Sequence, residues 1–221
     1  MNPRTFPPMI HLQNLRPEPL LPNGIQPDSQ TFATAARFEL GKRYLVIATS
    51  GKGKSTLLHI IYGLRQDYTG TVRVGEREAR QLAPDDWSEL RQRQFSIVFQ
   101  NLRLFADLTA RENIALQNAL TDHKTTAEIE AMAERLGVRE LLDKPAGQLS
   151  YGQRQRMAII RALCQPFQFL LLDEPFSHLD EGNTKAACAL IEEELAAQGA
   201  GLILVSLGER YYLTFDVELR L

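Results

Sequence analysis

The segment Ala48-Thr49-Ser50-Gly51-Lys52-Gly53-Lys54-Ser55-Thr56 restricts the possible folds more than any other stretch of this chain. An apolar run over residues 44–48 precedes it and a helical pattern over 54–64 follows, so a buried strand turns through glycines into a helix. Gly51 and Gly53 allow successive backbone N–H groups to converge on one anion, and the helix start adds its own unpaired donors. Lys54 is then placed for the β- and γ-phosphates of a polyphosphate, and the Ser55 hydroxyl for Mg²⁺. The pattern G-x-x-x-x-G-K-[ST] is met except at its first position, occupied by Ala48. An alanine there costs on the order of 1 kcal/mol if the position needs positive φ, and little otherwise. A Gly/Ser/Lys-rich surface loop could share this composition, but not the strand before and the helix after.

Two further constellations gain meaning from that loop. Phe169-Leu170-Leu171-Leu172-Asp173-Glu174-Pro175 ends an apolar strand in two carboxylates. Ligand chemistry in open parallel sheets gathers at the carboxyl ends of strands. Asp173 is therefore placed to act on Mg²⁺, and Glu174 to polarise an attacking water as general base. Leu149-Ser150-Tyr151-Gly152-Gln153-Arg154-Gln155-Arg156 starts a helix with Ser150 in a capping position. A serine hydroxyl and a glycine at a free helix N-terminus form an anion site; an ordinary capped helix would use the same serine.

Around these motifs, strand-like alternation at 9–12 is followed by a proline-rich loop at 17–27. A strand at 71–74 is expected after a turn at Gly70, then a short helix capped by Asp85 and Asp86, then a buried strand at 95–99. Residues 102–163 show helical spacing and no clear strand. Strands return at 169–172 and 202–205, with a helix over 184–198 stopped by Gly199, and the tail alternates in polarity from Phe215 to Leu221. Strands alternating with helices argue for an α/β core with a parallel sheet.

The 221 residues suffice for one large domain or for one with an inserted subdomain. A net charge of −2 gives no reason to expect a nucleic-acid partner, and Arg91, Arg93, Arg154 and Arg156 read as solvated helix faces. No apolar run reaches the roughly 18–20 residues of a membrane span, and residues 1–8 lack the apolar core of a secretion signal. Cys164 and Cys188, without metal-ligand spacing, read as buried thiols in a reducing compartment.

With its three motifs in this order, the chain resembles the ATP-binding-cassette (ABC) ATPases over nearly its whole length. The resemblance implies an α/β P-loop NTPase with a parallel-sheet core, an N-terminal antiparallel β subdomain and an inserted α-helical subdomain. Residues 1–221 would form a single domain, with 1–100 and 167–221 as the core and 101–166 as the helical part carrying the signature. It implies ATP and Mg²⁺ as cofactors, with Thr49, Ser50, Gly51, Lys52, Gly53, Lys54, Ser55 and Thr56 cradling the phosphates. Gln100, in Phe99-Gln100-Asn101, would join Ser55 and Asp173 at the metal and, with Glu174 and Lys54, serve hydrolysis. Asp180, in Ser177-His178-Leu179-Asp180, matches the D-loop aspartate. Family members pair head to tail around two ATPs, so Ser150, Gly152 and Gln153 would touch the γ-phosphate bound by a second cassette, an identical copy or a different cassette able to supply one intact site.

Within the family, Ser55-Thr56-Leu57-Leu58-His59-Ile60-Ile61-Tyr62-Gly63-Leu64 and Leu108-Thr109-Ala110-Arg111-Glu112-Asn113-Ile114 are similar to the subunits of lipoprotein release and macrolide export. These dock a helix of a separate integral membrane permease in a groove beside the glutamine loop. The chain would then be cytoplasmic, held on the inner face of the cell membrane by that permease, without a nucleic-acid partner.

Three features depart from the family pattern. Leu207 stands where the family has its switch histidine, and a leucine cannot hydrogen-bond a phosphate or a water. Residues 17–21 lack the aromatic that stacks on adenine, and Tyr151 replaces a signature glycine. Two readings therefore stand: a transport ATPase, favoured by Glu174, and a nucleotide-binding regulatory module with slow or no turnover, favoured by Leu207. A soluble ABC protein acting on DNA or ribosomes is disfavoured, since the chain has neither a long coiled-coil insertion nor a second cassette.

Overall fold

The computed structural model describes residues 9–221; the expectation for residues 1–8 lies outside them. Alternating polarity gives β1 (Met9–Pro17), longer than the sequence pattern suggested. A 3-10 turn at Glu18–Asn23 follows, so part of the proline-rich stretch read as irregular is locally helical. Next come β2 (Ala35–Glu39), β3 (Arg43–Ile47) and α1 (Lys54–Ile61). After β4 (Tyr68–Val74) and the two-residue β5 (Arg77–Glu78), α2 (Pro84–Arg93) leads to β6 (Phe95–Val98). The chain then runs through α3 (Ala110–Asn118), α4 (Thr126–Arg135) and α5 (Tyr151–Leu163) to β7 (Phe169–Asp173). It closes with α6 (Glu181–Gln198), β8 (Gly201–Ser206) and β9 (Val217–Arg220).

Two sheets divide the strands. One is antiparallel in the order β2-β1-β4-β5; the other is parallel in the order β6-β7-β8-β3-β9. The expected fold class is thus observed. In β3, β7 and β8 successive side chains serve two different cores. Leu45, Leu170, Leu172, Leu202 and Leu204 face a cluster shared with α3–α6. Tyr44, Val46, Leu171, Ile203 and Val205 face a second cluster shared with α1 and the antiparallel sheet. Burial on both sides explains why these strands read as unbroken apolar runs.

Between β6 and β7 the helices start by one chemical device. Thr109 accepts a hydrogen bond from the Glu112 amide and Thr125 from the Glu128 amide, while each glutamate returns a bond to its cap's backbone. Ser150 and Gln153 repeat the arrangement at α5, as the serine in the signature led one to expect. The expectation for α2 is corrected: Ala83, not Asp85 or Asp86, holds the cap position. Pro84 occupies the first turn, where its missing N–H costs nothing, and Asp86 reaches back to accept from the Ala83 amide at 3.0 Å. Arg156 is no solvated charge either, because its guanidinium donates to the Leu136 carbonyl (2.7 Å) and Asn183 (2.9 Å).

Gly70 is corrected in the same way, from a turn before β4 to a position inside it. The register between β1 and β4 shifts between Gln13 and Arg16, a bulge in which Asn14 takes φ 50°. Gly70 has φ 85° opposite that bulge, where a Cβ would lie 2.2 Å from the Asn14 carbonyl oxygen. Left-handed backbone and backbone contact both demand glycine. Gly70→Ala is expected to lower stability by about 2–3 kcal/mol, read from the midpoint of urea unfolding at unchanged slope.

Candidate functional site

Parallel register sets the carboxyl ends of four neighbouring strands level. Ile47 of β3 pairs with Ser206 of β8, Asp173 of β7 with Val205, and Val98 of β6 with Leu172. The chain leaving β3 at this edge is the glycine loop, which the Ala48 amide ties to the Ser206 carbonyl at 3.2 Å. Gly51 and Gly53 take φ 75° and 99°, whereas Ala48 is absent from the positive-φ residues. Alanine at the first motif position therefore carries no conformational cost here.

The loop encloses the head of Lys54. Its ammonium donates to the Ala48 and Thr49 carbonyls at 3.0 and 3.2 Å and lies 3.1 Å from Glu174 Oε1. With three donors and three acceptors the buried ammonium is fully paired. Glu174 has φ 48°, a left-handed turn costing on the order of 1 kcal/mol for a residue with a Cβ. Two bonds hold it: its amide donates to the Val205 carbonyl at 3.2 Å, and its carbonyl accepts from Gln155 Nε2 at 3.3 Å.

Beside this pair, Asp173 is buried and its Oδ1 has no hydrogen-bond partner. Burial pushes its carboxyl above the usual range and the neighbouring Glu174 charge adds to this, while the Ser55 hydroxyl and Lys54 pull it down. The Ser55 hydroxyl donates to Gln100 Oε1 at 3.4 Å. A carboxylate, a hydroxyl and a carboxamide oxygen thus meet at a cavity of about 410 Å³. Hard oxygen donors with one buried unsatisfied carboxylate oxygen fit Mg²⁺, which takes one or two protein carboxylates and completes its shell with phosphate and water.

The other expected site residues lie apart from this cluster or carry structural bonds. Ser150 and Gln153 cap α5, and Asp180 caps α6, accepting from the Asn183 amide and carboxamide at 2.8 and 2.6 Å. Those bonds hold the Asp180 carboxyl below its usual range. Gly152 packs so closely that a Cβ would meet the His178 carbonyl oxygen at 2.8 Å. Leu207 is 51% exposed just beyond β8. Near the glycine loop, a Cβ on Gly53 would lie 2.5 Å from Leu20 and 2.9 Å from the ring of Phe32. The stretch lacking the expected aromatic thus contributes an aliphatic contact, and Phe32 is buried behind it.

Reading the sequence did not find Gln155, Arg161 or Tyr211. Buried Gln155 joins α5 to the turn after β7 through Glu174, Ser177 and the His178 amide. Arg161 donates to the carbonyls of Leu102 and Arg103, two left-handed residues just past Gln100. Tyr211, at φ 53°, lies edge-on to Phe176, and burial raises its phenol to about 12. In the sequence all three look like ordinary helix or loop residues, because their partners are backbone atoms or distant side chains.

A glycine loop after a central parallel strand, with an acidic strand end two strands away, defines a protein of the phosphate-binding-loop class. Residues 34–177 match the family model described as ABC transporter, and the chain belongs to that family. It is 36% identical over 171 residues to the macrolide export ATP-binding/permease protein MacB of Bordetella avium, covering 76% of this chain and 26% of that protein. It is also 35% identical over 164 residues to the thiamine import ATP-binding protein ThiQ of Vibrio cholerae, covering 73% of this chain and 66% of the relative. The fold is that of MJ0796, described as a bacterial ABC transporter cassette in a dimeric structure (TM-score 0.80, 24% identity, 96% of this chain and 94% of that one). The MacB relatives agree with the macrolide-export and lipoprotein-release group, although the chain spans only about a quarter of their length.

The raised Asp173 carboxyl has a measurable consequence. Its proton is held more tightly folded than unfolded, so this group's contribution weakens the fold as pH rises through its folded pKa. Asp173→Asn is expected to raise the thermal midpoint of the nucleotide-free chain at neutral pH, because it removes a carboxyl whose burial disfavours its ionised form. The same substitution should abolish any further stabilisation by Mg²⁺ with ATP. Differential scanning calorimetry with and without the ligands checks both signs.

Proposed function

We propose that this chain is the ATP-binding and ATP-hydrolysing cassette of a membrane transport complex. The reading rests chiefly on the meeting of Lys54, Ser55, Gln100, Asp173 and Glu174 at one sheet edge, beside a glycine loop. The backbone donors of residues 49–56 receive the β- and γ-phosphates, and the start of α1 adds its own field. Ser55, Gln100 and Asp173 would hold Mg²⁺, which supplies charge neutralisation on the transferring phosphoryl group.

Lys54 has two jobs in this scheme. Without nucleotide its ammonium rests on Glu174; with ATP the phosphates compete for the same donors. Losing that partner frees the Glu174 carboxylate to accept a proton from the attacking water. Ser150, Gly152 and Gln153 of a second copy would close the site over the γ-phosphate, with Asp180 near the seam between the copies.

Coupling to a membrane permease has a candidate surface. A cavity of about 140 Å³ opens beside the glutamine loop between Tyr62, Phe99, Arg103 and Arg161. Nearby, Asn113 bonds both the amide and the carbonyl of Phe105, presenting that ring at 61% exposure, and Leu116 is 50% exposed. No helix among the described residues is long and apolar enough to cross a membrane, so a permease helix would come from another chain or from sequence beyond this one. Export of macrolides or release of lipoproteins is the finer reading, with an inner-membrane location.

Exposed Leu207 supports a second reading, a nucleotide-dependent clamp that closes on ATP but turns over slowly. Phosphate release separates the two. Glu174→Gln is expected to lower steady-state ATPase about a hundredfold or more while retaining Mg-ATP binding. A rate untouched by that change would sink the enzyme reading. Leu207→His should raise turnover on the order of tenfold to a hundredfold if one transition-state hydrogen bond is what the wild type lacks.

A further inference from the structure

Tyr151 is the first residue of α5, at the position where the family signature has glycine, and it is half-buried. Its hydroxyl donates to the Gln100 carbonyl oxygen at 2.6 Å. Its ring lies against His178, with centroids 4.2 Å apart and planes at 47°, and the Arg154 guanidinium sits 5.4 Å from the ring centre. His178 is fixed in turn by the Ser177 hydroxyl at 2.9 Å and by Gln155, which accepts from its amide at 3.2 Å. A single side chain therefore touches the glutamine loop and the D-loop from the start of the signature helix.

The glutamine loop needs such an anchor. Leu102 and Arg103 both take left-handed backbone just after Gln100, and Arg161 secures their carbonyls from downstream. Upstream, the Gln100 peptide is held by the Tyr151 hydroxyl, and from that peptide the carboxamide reaches Ser55 beside Asp173. Tyr151, Gln100, Ser55 and Asp173 line one cavity of about 410 Å³. A glycine at 151 would offer neither the hydroxyl nor the ring.

We propose that Tyr151 is a positioning residue for Gln100, its hydroxyl fixing the peptide from which the Gln100 carboxamide serves the metal side of the site. The signature offered to a second copy and the metal donors of the same chain are then set by one contact. This rests on the reading of Gln100, Ser55 and Asp173 as the magnesium donors.

The test uses the full chain and removes the hydroxyl alone with Tyr151→Phe, which keeps the ring on His178. Amide exchange of residues 100–103 is followed without nucleotide. Fluorescent ATP analogue binding is followed in EDTA and across a Mg²⁺ titration. Tyr151→Phe is expected to speed exchange at 100–103 about fivefold, the worth of one typical net hydrogen bond. The Mg²⁺ needed for half-saturation should rise by a similar factor while affinity in EDTA stays unchanged. In a Gln100→Ala background the Mg²⁺ shift should disappear, since coupled residues fail to add. Unchanged exchange and unchanged Mg²⁺ dependence overturn the proposal, as does an equal loss of affinity with and without Mg²⁺ or a shift undiminished by Gln100→Ala. Were the wild type to bind no Mg-ATP, the transporter reading would fall separately, and unchanged exchange would still overturn the anchoring role.

Discussion

One buried ammonium joins the two halves of the candidate site. Lys54 leaves the first turn of α1 and returns to the carbonyls of the loop that precedes it, so the glycine loop is wrapped around its own lysine. Its third bond crosses to Glu174, at the end of a strand two places away in the sheet. A charge this buried must be paired, and the pairing holds the glycine loop and the acidic turn at a fixed spacing. The cavity lined by Ser55, Gln100 and Asp173 lies next to this pair, since Ser55 follows Lys54 and Asp173 precedes Glu174 in the chain. Under the proposed function an anion entering the loop would compete for the Lys54–Glu174 bond, and ligand binding on one strand end would thereby reach a carboxylate on another.

The sequence made this edge legible because its signals are local. The apolar run before Ala48, the glycines with positive φ and the residues at the start of α1 all lie within a dozen positions. The apolar strand ending in Asp173 and Glu174 is equally compact. What stayed hidden depends on pairing between distant segments. Gly70 looked like a turn because the Asn14 bulge opposite it leaves no trace near residue 70. The strand Ala35–Glu39 was hidden because its exposed first position and its buried second one are both alanine, which leaves little contrast in polarity to read. Arg156 looked solvated because its acceptors, Leu136 and Asn183, lie 20 and 27 residues away.

Family departures carry unequal physical weight. Ala48 costs nothing, because its backbone is not left-handed. The missing aromatic leaves Leu20 against Gly53, an aliphatic contact at the start of α1. Leu207 differs in kind. An exposed leucine just beyond β8 carries no hydrogen-bond donor. Under the ATPase reading the loss would fall on transition-state stabilisation and not on ground-state binding, so affinity and rate would be separable.

Strain around the site explains why α5 matters beyond its signature. Leu102, Arg103 and Glu174 have side chains and yet take left-handed backbone, each costing on the order of 1 kcal/mol. Such conformations persist only where neighbours over-determine them. All three are held from one helix: Arg161 bonds the carbonyls of Leu102 and Arg103, and Gln155 bonds the carbonyl of Glu174. Tyr151 adds the Gln100 carbonyl from the same helix. A displacement of α5 large enough to break these bonds would release the turn carrying Glu174 and the loop carrying Gln100 together. The helix whose first turn would meet a second copy's nucleotide thus also clamps the donors around its own, which gives opposite faces of one chain a common mechanical element.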